Sequence, residues 1–267
     1  MDIQVSLVAS ANRTLHWAPI FASLNHNKIN YELIFIGNNP PEFITPKNFI
    51  WQKAAVKPAQ CYEIGFRIAK GECIMWTADD AFYTFKDNKD NIDRAYNAYK
   101  EAEKKYNDNK TVIAFRPIEN GGDVWGFHHF FGGWQHTPVM APFGLMNREL
   151  LRQLGGYDRR FISGQSENDL VMRVYEIGGR VEICMNAFVH VRHSLIHPKP
   201  NLFREYYDSD RVFLENCWVI GGYGAYKDRD KGKKDIPISK TRLLPLEPFV
   251  NDNGSIALIT QGPKGRW

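Results

Sequence analysis

Four cysteines in 267 residues, at positions 61, 73, 184 and 217, form no CxxC pair and share no regular spacing. That excludes a zinc ribbon or a disulfide framework and predicts reduced, buried thiols. Long apolar runs are also missing. Nothing approaches the roughly 18–20 residues of a membrane span, and Met1-Asp2-Ile3-Gln4 opens no basic-then-apolar leader. The expectation is a cytoplasmic chain with no membrane span. Charge of one sign is scarce, since 34 Lys and Arg against 30 Asp and Glu leave a net +4. This suits anionic small ligands such as nucleotides but lacks the dense basic footprint of a dedicated DNA-binding domain. Glycine is absent from Ser10-Ala11-Asn12-Arg13, the turn after the first apolar segment, so the chain has no glycine-rich phosphate loop there. No internal repeats are present.

What is present is a 43% hydrophobic, 24% charged chain able to bury a sizeable core. Residues 3–9 are apolar and β-rich, and a helix is expected over 15–24. Residues 31–36 carry a buried-strand run ending at Gly37-Asn38-Asn39. A helix is expected over 59–69, then a strand over 72–77 that stops at Asp79-Asp80. Further helices are expected over 91–106, 148–154 and 169–177, with strands over 111–115 and, in part, 181–191. This alternation predicts an α/β fold, a Rossmann-like, mostly parallel central sheet flanked by helices. Ligands of such sheets bind beyond the carboxyl ends of the strands. The polar clusters at Ser10 to Arg13, Gly37 to Asn39 and Asp79-Asp80 are therefore expected at one crevice. Residues 1–225 form the predicted domain, and 226–267 a C-terminal extension with prolines. Its segment 227–235 carries five basic and three acidic residues.

Three groups of residues suit chemistry. Adjacent carboxylates at a strand end, Asp79 and Asp80, are hard oxygen ligands fit for Mg²⁺ or Mn²⁺. An ordinary turn or helix cap is the competing explanation. In Gly155 to Arg173, Asp169 is expected to cap a helix, with Ser166 as a second capping candidate. Glu167, projecting from a glycine-flanked loop, is left to act as a general base. In His190-Val191-Arg192-His193, the two histidines fall on opposite faces of an extended segment. They are either structural or a third metal ligand. The stretch from Trp125 to Trp134, with His128 and His129, is rich in glycine and aromatics. It suits either a sugar or base platform or a loop clamped by buried aromatics.

VSLVASANRTLHWAPIFASL, GFRIAKGECIMWTADDAF and MNRELLRQLGGYDRRFISGQSENDLVMRVYEIGG together resemble family 2 glycosyltransferases of the GT-A fold, over about residues 3–195. The resemblance implies a GT-A domain and a nucleotide-sugar donor. It implies that Asp80 with Asp79 holds Mn²⁺ or Mg²⁺, with His190 best and His193 second as a further ligand. Glu167 takes the place of the catalytic base, and Asp169 stands beside it toward the acceptor. The chain departs from the family at three places. Thr77 stands where the first acidic metal-motif residue is common. Gly37, followed by Asn38, replaces the acidic residue that contacts the donor base. Tyr62-Glu63 replaces an arginine-asparagine pair. Ser10, Asn12, Arg13, Asn38, Lys57 and Gln60 are the donor-side candidates, while Trp125, His128, Trp134 and Asp169 are those of the acceptor side.

The implied activity is metal-dependent transfer of a sugar to an acceptor hydroxyl. A single base with no separate nucleophile implies inversion. A carbohydrate acceptor is favoured by the modest charge, and a hydroxylated DNA base is the other option. The alternative is a GT-A-like module that binds glycans or nucleotides without catalysis. A nucleotidyltransferase ranks third, for want of the phosphate loop. Neither the donor nor the oligomeric state is legible.

Overall fold

Alternation along the first strand decides the layering. In β1 (Val5–Ser10), Leu7 and Ala9 enter one apolar core and Val8 the other. The same split recurs in β2 (Tyr31–Gly37), where Leu33 and Phe35 oppose Ile34 and Ile36, and in β4 (Cys73–Trp76), where Met75 opposes Ile74 and Trp76. Strands apolar on both faces must be covered on both. Helices α1 (Trp17–Leu24) and α3 (Asn91–Tyr106) cover one side through Trp17, Ile20, Ile92 and Tyr99. The other is covered by α2 (Pro58–Ile68), α4 (Arg148–Gln153), α5 (Ser166–Glu176) and α6 (Leu202–Cys217), through Ile64, Phe66, Leu150, Leu170 and Leu214.

The computed structural model describes residues 2–119, 121–123, 139–192 and 202–217. Its sheet adds β3 (Phe49–Lys53), β5 (Ala81–Phe82), β6 (Thr111–Glu119), β7 (Gly122–Asp123), β8 (Gly144–Asn147) and β9 (Arg180–Val191). The order is β3-β2-β1-β4-β8-β6-β9-β5, with β7 paired to β6. Neighbours β3, β2, β1 and β4 are parallel, as are β6 and β9, while β8 runs against both β4 and β6. The expected α/β, Rossmann-like sheet flanked by helices is therefore present, as a mixed, mostly parallel sheet.

Local contacts explain particular residues. A Cβ at Gly65 of α2 would lie 2.3 Å from Val8 Cγ1, so glycine lets this helix press onto β1. The helix over 91–106 has the bounds expected of it. Five elements were not anticipated: β3, β5, β7, β8 and α6. The helix expected from 169 begins instead at Ser166, so Glu167 lies in its first turn and not in a loop. Gln165, at φ 68°, makes the sharp entry, so Ser166 does not cap the helix. No helix among the described residues is long and apolar enough to cross a membrane. Residues 226–267 lie outside the described residues.

Candidate functional site

Three strand ends and the start of α2 surround one charged cluster. Beyond β4 the chain turns at Asp79 and Asp80, both buried. Asp79 Oδ2 accepts the backbone N–H of Asn12 at 2.7 Å and of Arg13 at 2.6 Å, so the end of β4 is latched to the loop that follows β1. Asp79 Oδ1 accepts Arg13 Nε at 2.7 Å and lies 2.5 Å from Nη2, while Arg13 Nη1 donates to Asp80 Oδ2. One guanidinium thus bridges two carboxylates. Burial opposes the charge on Arg13, but the two aspartates outweigh it and hold its pKa above the ordinary value.

The other donor-side residues join this loop unequally. Asn12 Oδ1 accepts the Asn38 N–H at 2.9 Å, and the Asn39 side chain donates to Asn12 O at 2.9 Å. A Cβ at Gly37 would lie 1.8 Å from Ala11 O, which explains why no acidic side chain stands there. Ser10 lies in reach of the buried Cys61 thiol, whose pKa burial pushes up to about 12. Lys57 and Gln60, at the start of α2, are buried, with Gln60 at 0% exposure. Burial lowers the pKa of Lys57, partly offset by the negative charge of Asp210. Thr77 is also buried, and its hydroxyl shares a hydrogen bond with that of Tyr83.

A third carboxylate of interest is that of Glu167. Burial pushes its pKa up to about 7, against backbone hydrogen bonds around Gln165 and Glu167, and the charge of Asp210 adds to the rise. Its carboxyl remains half-buried, in the first turn of α5. The loop before it is pinned by Asp210 of α6, which accepts the N–H groups of Ile162 at 3.0 Å, Ser163 at 2.7 Å and Gly164 at 3.0 Å. Tyr62 of α2 feels the charge of both carboxylate sets. Its hydroxyl donates to Thr77 O. Burial, then the charges of Glu167, Asp79 and Asp80, push this phenol above its ordinary range. Tyr157 packs on Tyr62 with ring centroids 5.3 Å apart, and it too feels Glu167. Neither Tyr62 nor Asp210 was foreseen as a site residue. Tyr62 carried a signal, since it stands where the family has a functional pair, but Asp210 lies in a helix that the pattern did not reveal.

Other expected residues fall elsewhere. Asp169 is 0% exposed and pairs with Arg173, with Oδ2 3.0 Å from Nε and 2.9 Å from Nη2. Arg173 in turn donates to Leu154 O and Gly156 O. The expected cap is thus an ion pair that ties α5 to the glycine turn, and a fully buried Asp169 does not face an acceptor. His190 sits opposite Phe82 in the β5–β9 pair, its ring edge-on to Phe85 at 5.7 Å. Burial and then the charge of Arg192 lower its pKa. The next strand residues bring the backbone to the acidic pair, where Arg192 N–H donates to Asp80 O at 3.1 Å. Among the described residues no three His, Cys, Asp or Glu side chains are grouped to hold a metal ion. His193, Trp125, His128 and Trp134 lie outside the described residues. The chain matches no protein-family model and no curated protein.

Proposed function

We propose that this chain is a GT-A-type glycosyltransferase that moves a sugar from a nucleotide-sugar donor to an acceptor hydroxyl with inversion, using Mn²⁺ or Mg²⁺. The observation that carries the reading is the convergence on Tyr62. The charges of Glu167, a half-buried carboxyl with a pKa of about 7, and of the Asp79–Asp80 pair at a sheet's carboxyl edge both act on the Tyr62 phenol, whose hydroxyl donates to Thr77 O. Two such carboxylate sets suit proton removal at one and charge handling at the other.

The acidic pair was weighed against a divalent ion by its donors. Asp79 has both oxygens engaged, one by two backbone N–H groups that cannot withdraw. Asp80 meets Arg13 through a side chain that can. Mg²⁺ and Mn²⁺ are commonly held by one or two carboxylates together with substrate phosphates, so Asp80 fits as the protein ligand and Asp79 as the latch behind it. A bound ion would offset the charge of the departing nucleoside diphosphate. Glu167 takes the acceptor's proton, and a pKa near 7 lets it hold that proton and release it near neutral pH. Arg13 offers a guanidinium fork to phosphate oxygens. With Gly37 against Ala11 O, recognition of the donor base falls to groups other than an acidic residue at that position.

The acceptor class follows from charge alone. A net +4 favours a carbohydrate over a hydroxylated DNA base. The test is a thermal-shift panel of nucleotide sugars with Mn²⁺ or with chelator. A rise in Tm for one donor, lost with chelator, is expected by mass action. No shift with any donor, with or without metal, would refute the reading. The engagement of Asp79 by the protein itself also favours a binding module without catalysis, and metal-stimulated hydrolysis of the bound donor would exclude that alternative.

A further inference from the structure

Two buried carboxylates, Asp79 and Asp80, share the guanidinium of Arg13. The three parts are not equally fixed. Asp79 is held by two main-chain N–H groups, and Arg13 by its own main-chain N–H to Asp79. The link from Arg13 Nη1 to Asp80 Oδ2 is made by side chains at both ends. The Arg13 side chain is 26% exposed, whereas those of Asp79 and Asp80 are 2% and 4% exposed, so the guanidinium is the lid over the pair. Its five N–H donors exceed the contacts it makes through Nε, Nη1 and Nη2, leaving donors for an added anion.

We infer that Arg13 is a built-in counter-cation of Asp80, so that a divalent ion enters this site together with the donor's diphosphate and not before it. The inference rests on the metal-dependent reading above. A guanidinium and a divalent ion on the same carboxylate oxygen repel at contact distance, in a poorly screened setting. A diphosphate removes the conflict, because it presents paired oxygens that a guanidinium binds through two parallel N–H bonds. Arg13 can then leave Asp80 without losing a partner, and its main-chain bond to Asp79 keeps it at the site. Metal and diphosphate therefore help one another bind, and by linkage the help is reciprocal.

The test measures Mn²⁺ binding by calorimetry, with no turnover involved. Mn²⁺ alone should bind the unaltered chain weakly, and Arg13→Gln about 10- to 100-fold more tightly, as expected when a unit charge leaves contact range. Arg13→Lys, which keeps the cation, should stay close to the unaltered chain. Equal or weaker Mn²⁺ binding in Arg13→Gln overturns the inference. Because that variant leaves two carboxylates without their arginine, a second measurement uses the unaltered chain. The Arg13 Nε–H resonance should be unmoved by Mg²⁺ alone and should shift when Mg²⁺ is added with inorganic pyrophosphate. A shift with Mg²⁺ alone, or none with both, overturns it as well. A gain of Mn²⁺ affinity in Arg13→Gln with no nucleotide sugar bound would uphold the counter-cation and refute the donor. Metal-dependent donor binding with no such gain would do the reverse.

Discussion

Glu63 carries a pH-dependent load on the folded state that a single substitution removes. The side chain is 1% exposed on α2, and Oε1 accepts the Tyr157 N–H at 2.5 Å. Oε2 has no hydrogen-bond partner among the described residues. Burial pushes the pKa from its ordinary 4.5 to about 8, although the Tyr157 N–H and the charges of Arg67, Arg173 and Arg159 pull the other way. The folded chain therefore binds the proton more tightly than the unfolded one. The stability so gained is fully present below about pH 4.5, is lost as pH rises toward 8, and is level above that. At about 1.4 kcal/mol per pH unit, the interval from pH 5 to 8 is worth about 4 kcal/mol. Glu63→Gln keeps an acceptor for Tyr157 and cannot ionise. Urea unfolding of both proteins from pH 5 to 9 isolates the effect, because the other titrating groups cancel in the difference. The variant should gain on the parent by about 4 kcal/mol across that range, most of it by pH 8. A difference that stays flat within about 0.5 kcal/mol would mean that Glu63 titrates normally in the fold, and the reasoning would fail.

Glu167→Gln should retain donor binding, read by thermal shift, and lose transfer by about two to four orders of magnitude. In the parent, where the carboxylate is the active form and its pKa is about 7, the rate should fall about tenfold per unit below that pH. Asp169→Asn should cost about 3–5 kcal/mol in chemical unfolding, because it leaves buried Arg173 without its carboxylate. A loss below about 1 kcal/mol, typical of a cap, would restore the expectation drawn from the sequence. Gly65→Ala should destabilise by about 1–3 kcal/mol through the 2.3 Å approach to Val8, and an unchanged Tm would show that α2 can lift off β1 at no cost.

The elements that the amino-acid pattern revealed are those with apolar residues on both faces of a strand or one face of a helix. β1, β2 and β4 are short runs of this kind, and α3 buries Ile92, Ala95, Tyr96 and Tyr99 at helical spacing. The strand at Phe49–Lys53 escaped because it is a short strand at the sheet's edge, with four residues only partly buried and Lys53 exposed. β8 is four residues long and starts with Gly144, whose missing Cβ makes room for the Trp76 ring. The site was legible at Asp79, Asp80 and Glu167 as residue types. What they touch was not, since partners such as Arg13, in the loop after β1, and Tyr62, on α2, are brought in by tertiary packing. Asp169 misled for another reason. An acidic residue near a helix start looks like a cap, but with the helix begun at Ser166 its partner is Arg173, one turn later on the same helix.

The reversed strand β8 also has a bearing on how the chain reaches this state. β1 to β4 pair among themselves within the first 76 residues, so that half of the sheet can close early during synthesis. β6 and β9 form a second parallel unit, joined to β4 within the sheet by β8. Residue pairs such as Ile74 with Met146 must wait for that distant segment, and pairing at long sequence separation is slow. α5 follows β8 in the chain, so Glu167 can meet α2 only after β8 has been made. Completion of the candidate site is therefore a late event, and a pulse of unfolded chain should regain its first parallel strands well before Glu167 is in place.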